Sequence, residues 1–205
     1  MRALILASAR HLVREAASLS DGGRQTTIGA NLRGKYLGLL GLGNVGKEVA
    51  RIGLAFGMTV MAWSQNLTAE IASTAGAKLV DKETLSRHAD ILTVHLVLSR
   101  RTQGLIGTAE LALMKKTATL INTSRGPIVD ETALIEALRA CRIAGPAIDV
   151  FDSEPLPANH PFRTLDNVLA TPHIGYVTEE LYRTFYGDAA ASIAGWLEAN
   201  AAQAP

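Results

Sequence analysis

Three stretches of the chain carry side chains suited to proton transfer beside a carbonyl: Arg125 in "NTSRGPIVD", Glu154 in "DVFDSEPLP" and His173 in "TPHIGY". An arginine's planar fork holds a carboxylate through two hydrogen bonds and polarises the neighbouring carbonyl. Histidine passes a proton near neutral pH. A glutamate beside it fixes the ring's orientation and favours the imidazolium. Together these types form the set that interconverts a ketone and an alcohol when a nicotinamide brings the hydride. Each also has a plainer role by itself. Arg125 before Gly126-Pro127 suits a surface loop, Glu154 before Pro155 a solvated turn, and His173 after Pro172 a hydrogen-bonded loop position.

A second stretch, Gly41-Leu42-Gly43-Asn44-Val45-Gly46, follows an apolar run and opens a helical pattern. In that setting Gly41 makes a tight turn, Gly43 lets backbone approach a pyrophosphate, and Gly46 lets helix and sheet pack closely. An acid for the adenine ribose belongs roughly 20 residues past such a turn, and Ser64 stands there instead. Serine still hydrogen-bonds. It neither clamps a ribose diol as a carboxylate does nor repels a 2′-phosphate, and "WSQNL" holds no arginine to attract one, so these residues leave NAD against NADP open.

The elements that must position these groups alternate regularly. Apolar runs at 36–40, 59–63, 77–80, 91–95, 119–122, 146–149 and 168–170 read as buried parallel strands. Helical patterns lie at 45–56, 67–75, 82–89, 109–114 and 131–141, with Asp81 and Asp130 as N-caps, and a last helix spans 179–200 behind Thr178. The spacing predicts an α/β fold, a doubly wound parallel sheet of the Rossmann type with flanking N- and C-terminal helices. In such a sheet ligands bind beyond the carboxyl ends of the strands. The runs lead there into the glycine turn, Ser64, His95, Thr123-Ser124-Arg125, Asp149 and Thr171-Pro172-His173, so six exits point to one site. Pro146 lacks the N–H a central strand donates and is expected at its strand's first position.

With 205 residues, 48% of them hydrophobic, the chain can close one substantial core, and a net charge of +1 without basic runs gives no footprint for nucleic acid or a membrane surface. No stretch reaches the ~20 apolar residues that span a bilayer. "MRALILASAR" imitates a secretory signal, but apolar spacing continues through Leu12, Val13 and Leu19, which reads as one helix over 1–20. A single cysteine suits a reducing cytoplasm, with Cys141 packed at a helix end; Trp63 and Trp196 read as packing residues.

The stretches "LRGKYLGLLGLGNVG", "LINTSRGPIVDETAL", "DVFDSEPLP" and "TPHIGY" resemble the signatures of the D-isomer-specific 2-hydroxy acid dehydrogenases, and the likeness runs from the N-terminal helix to the last one. The resemblance implies a cofactor domain for NAD or NADP, with NAD preferred, and a small 2-keto or 2-hydroxy acid substrate such as glyoxylate or hydroxypyruvate. It implies Arg125 for the substrate carboxylate, His173 as acid/base and Glu154 as its partner. For the cofactor it implies Gly41, Gly43, Asn44, Val45 and Gly46 at the pyrophosphate, Ser64 near the adenine ribose and Leu96 lining the site. Thr123 and Asp149 fall beside the nicotinamide, while Ser124, Arg125, His173 and Gly175 complete the cofactor set, with no metal. Formate-oxidising relatives carry glutamine at the position of Glu154, so the glutamate points to a hydroxy or keto acid. His95 is not the family's proton donor and reads as structural.

Departures from the family pattern are Val97 for a usual proline, Pro146 for a small residue, and Ser64 for the ribose acid. Met1 also falls at the helix that in the family follows an N-terminal substrate-binding portion. The expectation is one cofactor domain over 1–205, with residues 1–20 pairing two copies into a homodimer and 178–200 as the C-terminal helix. Such a chain is expected to bind cofactor with weak or absent turnover by itself. A reading of another class stays open: a dinucleotide-sensing or interaction module, or an inactive remnant.

Overall fold

The computed structural model describes residues 1–201, which divide after Pro172 into two compact units. In the first unit, β1 (Tyr36–Leu40), β2 (Thr59–Trp63), β3 (Lys78–Leu79), β4 (Ile91–Val94), β5 (Thr119–Asn122), β6 (Gly145–Ile148) and β7 (Leu169–Ala170) form one parallel sheet in the order β3-β2-β1-β4-β5-β6-β7. The helices are α1 (Arg2–Ala9), α2 (Leu12–Ser20), α3 (Asn44–Ala55), α4 (Ala69–Thr74), α5 (Lys82–His88), α6 (Thr108–Leu113) and α7 (Glu131–Arg139).

The strands read as unbroken apolar runs because both faces of the sheet are covered. Successive side chains alternate between faces. Leu40, Met61, Leu120 and Ile148 pack with Leu85 of α5, Leu111 of α6 and Leu138 of α7. Their neighbours Leu39, Ala62, Ile121 and Ala147 pack with Leu4 and Ile5 of α1 and Val49 of α3. The predicted caps are in place: Asp81 accepts from the Thr84 N–H at 2.8 Å and Asp130 from the Ala133 N–H at 3.0 Å.

Three expectations about the first unit need correction. The helix expected over 1–20 is two, because α1 buries Leu4 and Ile5 against the sheet while the chain turns away at His11, which adopts a left-handed φ of 50°. Beyond that break the carboxylate of Glu15 in α2 accepts from the Thr26 N–H and from the hydroxyls of Thr26 and Thr27, which holds its pKa down to about 2 and pins the following loop. Pro146 is the second residue of β6, opposite Leu120, and pairing with β7 begins only at Ala147. Cys141 is exposed: it leaves α7 with a φ of 49°, and that left-handed exit carries the thiol away from the core.

The second unit is built on α8 (Glu179–Ala201), capped by Thr178 Oγ1, which accepts from the Leu181 N–H at 3.2 Å, with Glu179 and Glu180 at the positive end of its dipole. Trp196, expected to pack, is 65% exposed on this helix. Among the described residues no helix is long and apolar enough to cross a membrane.

Candidate active site

The strand order reverses between β1 and β4, and the crevice of a doubly wound sheet opens at that point. β1 ends in Gly41, whose φ of +99° suits glycine. Its N–H donates to the Trp63 carbonyl at 2.8 Å, and a side chain there would meet the His95 carbonyl oxygen at 2.6 Å. A methyl on Gly46 would overlap the Gly41 carbonyl, so α3 lies directly on the turn. Gly43, the N-cap of α3, differs: a methyl there would meet nothing within 4 Å. Gly43, Asn44 and Val45 are all exposed, beside first-turn N–H groups that have no partner within the helix.

The exits of β4 and β5 are stitched together. Ser124 Oγ donates to the Leu96 carbonyl at 2.6 Å, and the Ser124 N–H donates to Asn122 Oδ1 at 3.0 Å. Asn122 Nδ2 in turn donates to the Arg125 carbonyl at 2.9 Å from a side chain deep in the sheet. Thr123 and Leu96 are half-buried, while Arg125 is exposed with one guanidinium N–H given to the Ser124 carbonyl at 2.7 Å. The Ser124 hydroxyl thus braces two loops on the same edge.

Gly126 brings the next exit close. A methyl on it would overlap the Phe151 carbonyl and the Asp152 nitrogen, so the loop of Arg125 and the loop of Glu154 touch backbone to backbone. Glu154 Oε1 accepts from the Phe151 N–H at 3.0 Å. One carboxylate of α7 anchors the same loop from below: Glu131 accepts from His160 Nε2 at 2.9 Å and from the Asp152 N–H at 3.4 Å. The Phe162 N–H donates to His160 Nδ1, which places the ring proton on Nε2. Arg163 closes the loop through the carbonyls of Leu156 and Pro157. Burial raises the Asp152 carboxyl pKa, with Glu131 and Asp130 adding to the shift. Asp149 is 2% exposed at the end of β6 and accepts from the Thr171 hydroxyl.

His95 is placed beneath the glycine turn, with Nε2 2.7 Å from the buried Thr93 hydroxyl. Burial pulls its pKa from 6.5 to about 4, so the ring is neutral at pH 7. The folded state therefore resists a proton that the unfolded chain accepts. The stabilisation is complete above about pH 6.5 and is lost as pH falls through about 4, by up to roughly 3 kcal/mol. Urea unfolding across that range should show the loss in the native protein and a flatter profile in His95→Gln; parallel profiles would refute it.

Ser64 lines an open cleft at the ends of β2 and β3 together with Trp63, Gln65, Leu79, Asp81 and Thr84. His173 and Gly175 lie in the second unit. His173 has a left-handed φ of 54°, and its ring meets Tyr176 edge-on at 5.5 Å between centroids.

Residues 2–175 match the sequence pattern of the D-isomer specific 2-hydroxyacid dehydrogenase, NAD binding domain. The chain belongs to this family. It is 48% identical over 187 residues to a glyoxylate reductase of Aeropyrum pernix, covering 87% of this chain and 56% of that protein. Against a D-3-phosphoglycerate dehydrogenase of Methanocaldococcus jannaschii it is 43% identical over 180 residues, 86% of this chain and 34% of the relative. A crystal structure of a phosphoglycerate oxidoreductase from Vibrio cholerae superposes with a TM-score of 0.91 at 33% identity, covering 96% of this chain and 64% of the other. The chain thus spans between about a third and two thirds of the proteins it matches.

Several residues of this D-2-hydroxyacid dehydrogenase domain escaped the sequence reading. Asn122 was legible only as a polar residue ending the apolar run "TLIN", and Thr171, named among the strand exits, gave no sign of its bond to Asp149. Glu131 and His160 carry no local signal, since their meeting depends on how the loop after β6 folds back on α7. Asp81 was legible only as a cap.

Proposed function

We propose that the chain binds a nicotinamide dinucleotide along the carboxyl edge of its sheet and serves an oxidoreductase acting on the CH–OH group of D-2-hydroxy acids, reducing small 2-keto acids such as glyoxylate or hydroxypyruvate. Gly43 carries this reading. Packing accounts for the absence of a side chain at Gly41 and Gly46, but nothing in the protein occupies the space a methyl on Gly43 would take. A pyrophosphate seated on the N-terminus of α3 accounts for it. Among the relatives, a glyoxylate reductase and a D-3-phosphoglycerate dehydrogenase support a small acid as substrate.

In this proposal Gly41, Gly43, Asn44, Val45 and Gly46 hold the pyrophosphate, Ser64 the adenine ribose, and Leu96, Thr123, Ser124, Asp149 and Gly175 the nicotinamide end. When bound, the cofactor supplies the hydride. Arg125 grips the substrate carboxylate through paired N–H donors and polarises the adjacent carbonyl. His173 gives its proton to the carbonyl oxygen during reduction and removes it in the reverse direction. Glu154 is assigned as its partner in that role. NAD is the cofactor preferred to NADP, in keeping with the family's description as an NAD binding domain. Residues 1–205 form the cofactor domain, in a reducing cytoplasm. Two copies pair through residues 1–20, whose Leu12, Val13 and Leu19 are exposed.

Titration with NADH, followed by oxamate as an unreactive 2-keto acid mimic, tests the proposal. The native chain should bind both. Arg125→Ala should weaken oxamate capture by roughly ten- to a hundredfold, the worth of charge-assisted bonds, and NADH affinity by clearly less. Failure to bind NADH would overturn the reading, and equal weakening of both ligands would remove Arg125 from its role. A monomer mass by light scattering at micromolar concentration would count against the pairing.

A further inference from the structure

β2 and β3 run side by side, with Ala62 opposite Leu79 and the Val80 N–H donating to the Ala62 carbonyl at 3.1 Å. Continued outward, that register sends Ser64 and Asp81 off the sheet as neighbours, roughly 5 Å apart in backbone spacing. Both line the same open cleft. The Asp81 side chain is held in place, accepting from the Thr84 N–H at 2.8 Å and the Thr84 hydroxyl at 2.6 Å. Those bonds lower its pKa, so it is a fixed anion at neutral pH.

No lysine or arginine is among the residues that line the cleft, so no cationic side chain there neutralises the carboxylate. Lys82, next in the chain, is turned to Glu110, with Nζ 2.6 Å from Oε1. Arg87, further along α5, pairs with Glu83 at 2.6 Å.

We infer that Asp81 sets the choice of dinucleotide: its carboxylate, beside Ser64, disfavours a ribose 2′-phosphate and makes the cleft selective for NAD(H) over NADP(H). The inference rests on the reading of the chain as a nicotinamide-dinucleotide binder. Ser64 by itself is indifferent, because a hydroxyl donates to a phosphate as readily as it bonds a ribose oxygen. The acid absent from the end of β2 is supplied from the end of β3. A ribose 2′-phosphate adds about two negative charges near neutral pH, as phosphate monoesters do. Since the cleft is open to water and salt, the discrimination is a modest one that salt weakens.

The test is fluorescence titration of the whole chain with NADH and NADPH at about 20 mM and about 300 mM salt. Asn and Ser both retain the cap, so Asp81→Asn and Asp81→Ser remove the charge and keep α5 closed. At low salt both variants should bind NADPH about three- to tenfold more tightly, with NADH unchanged within about twofold, and the gain should shrink at high salt. Glu136→Gln, which removes an exposed acid on α7 and frees no paired cation beside the cleft, should leave the ratio unmoved. An NADPH to NADH ratio unchanged in the Asp81 variants, or moved equally by Glu136→Gln, overturns the inference alone. Native protein that binds neither dinucleotide overturns the functional reading and this inference with it.

Discussion

Gly126→Ala should lower the stability of the protein by at least about 3 kcal/mol, the upper end of what overpacking costs, because the added methyl lands on backbone that no rotamer change can clear. It would overlap the Phe151 carbonyl and the Asp152 nitrogen. Neither loop yields easily. The Arg125 side is tied through Asn122 and Ser124, and the Phe151 side through Glu154 and Glu131. Urea unfolding measures the loss directly. Where folded variant persists, oxamate capture should suffer more than NADH binding, because Arg125 directly precedes the displaced residue while the glycine turn is on other strands. A loss under about 1 kcal/mol would mean that the two loops part cheaply and do not position each other.

Substitution at the glycine turn should separate what packing requires from what a ligand requires. In Gly46→Ala the methyl overlaps the Gly41 carbonyl, so α3 must lift from the end of β1. Stability should fall by about 2 to 3 kcal/mol. NADH affinity should fall about a hundredfold, the scale of loss that displacing a binding group by roughly 1 Å brings. In Gly43→Ala the methyl enters open space. Stability should stay within about 1 kcal/mol, since only the helix cap is altered. Affinity for NADH should still drop about tenfold or more, the effect of keeping a phosphate off the helix N-terminus by a carbon's width. Unfolding curves and NADH titrations on the two variants decide the matter. Native-like NADH binding by Gly43→Ala would remove the pyrophosphate from that position.

The elements that rest on local pattern were legible. Strands β1, β2 and β5 fall at the predicted residues, and Asp81, Asp130 and Thr178 cap the helices they precede. The misread places are those where a partner outside the segment decides. Periodicity ran unbroken through residues 1–20, yet burial of Leu4 and Ile5 stops α1 and His11 turns the chain. Cys141 lies within an apolar spacing that a left-handed exit from α7 overrides. Trp196 was assigned to packing by residue type, but α8 leaves it exposed.

The sequence by itself determined the alternation of strand and helix, and with it a parallel sheet whose carboxyl edge collects the glycine turn, Ser64, Arg125 and Asp149. It could do so because strand and helix periods are written in successive residues. Only the tertiary structure decided which exits are neighbours. Asp81 stands by Ser64 because β3 pairs with β2, Gly126 touches Phe151 because β6 pairs with β5, and Glu131 meets His160 because the loop after β6 folds over α7. Those pairings follow from strand order and loop packing across long stretches of chain, which no local window of residues records.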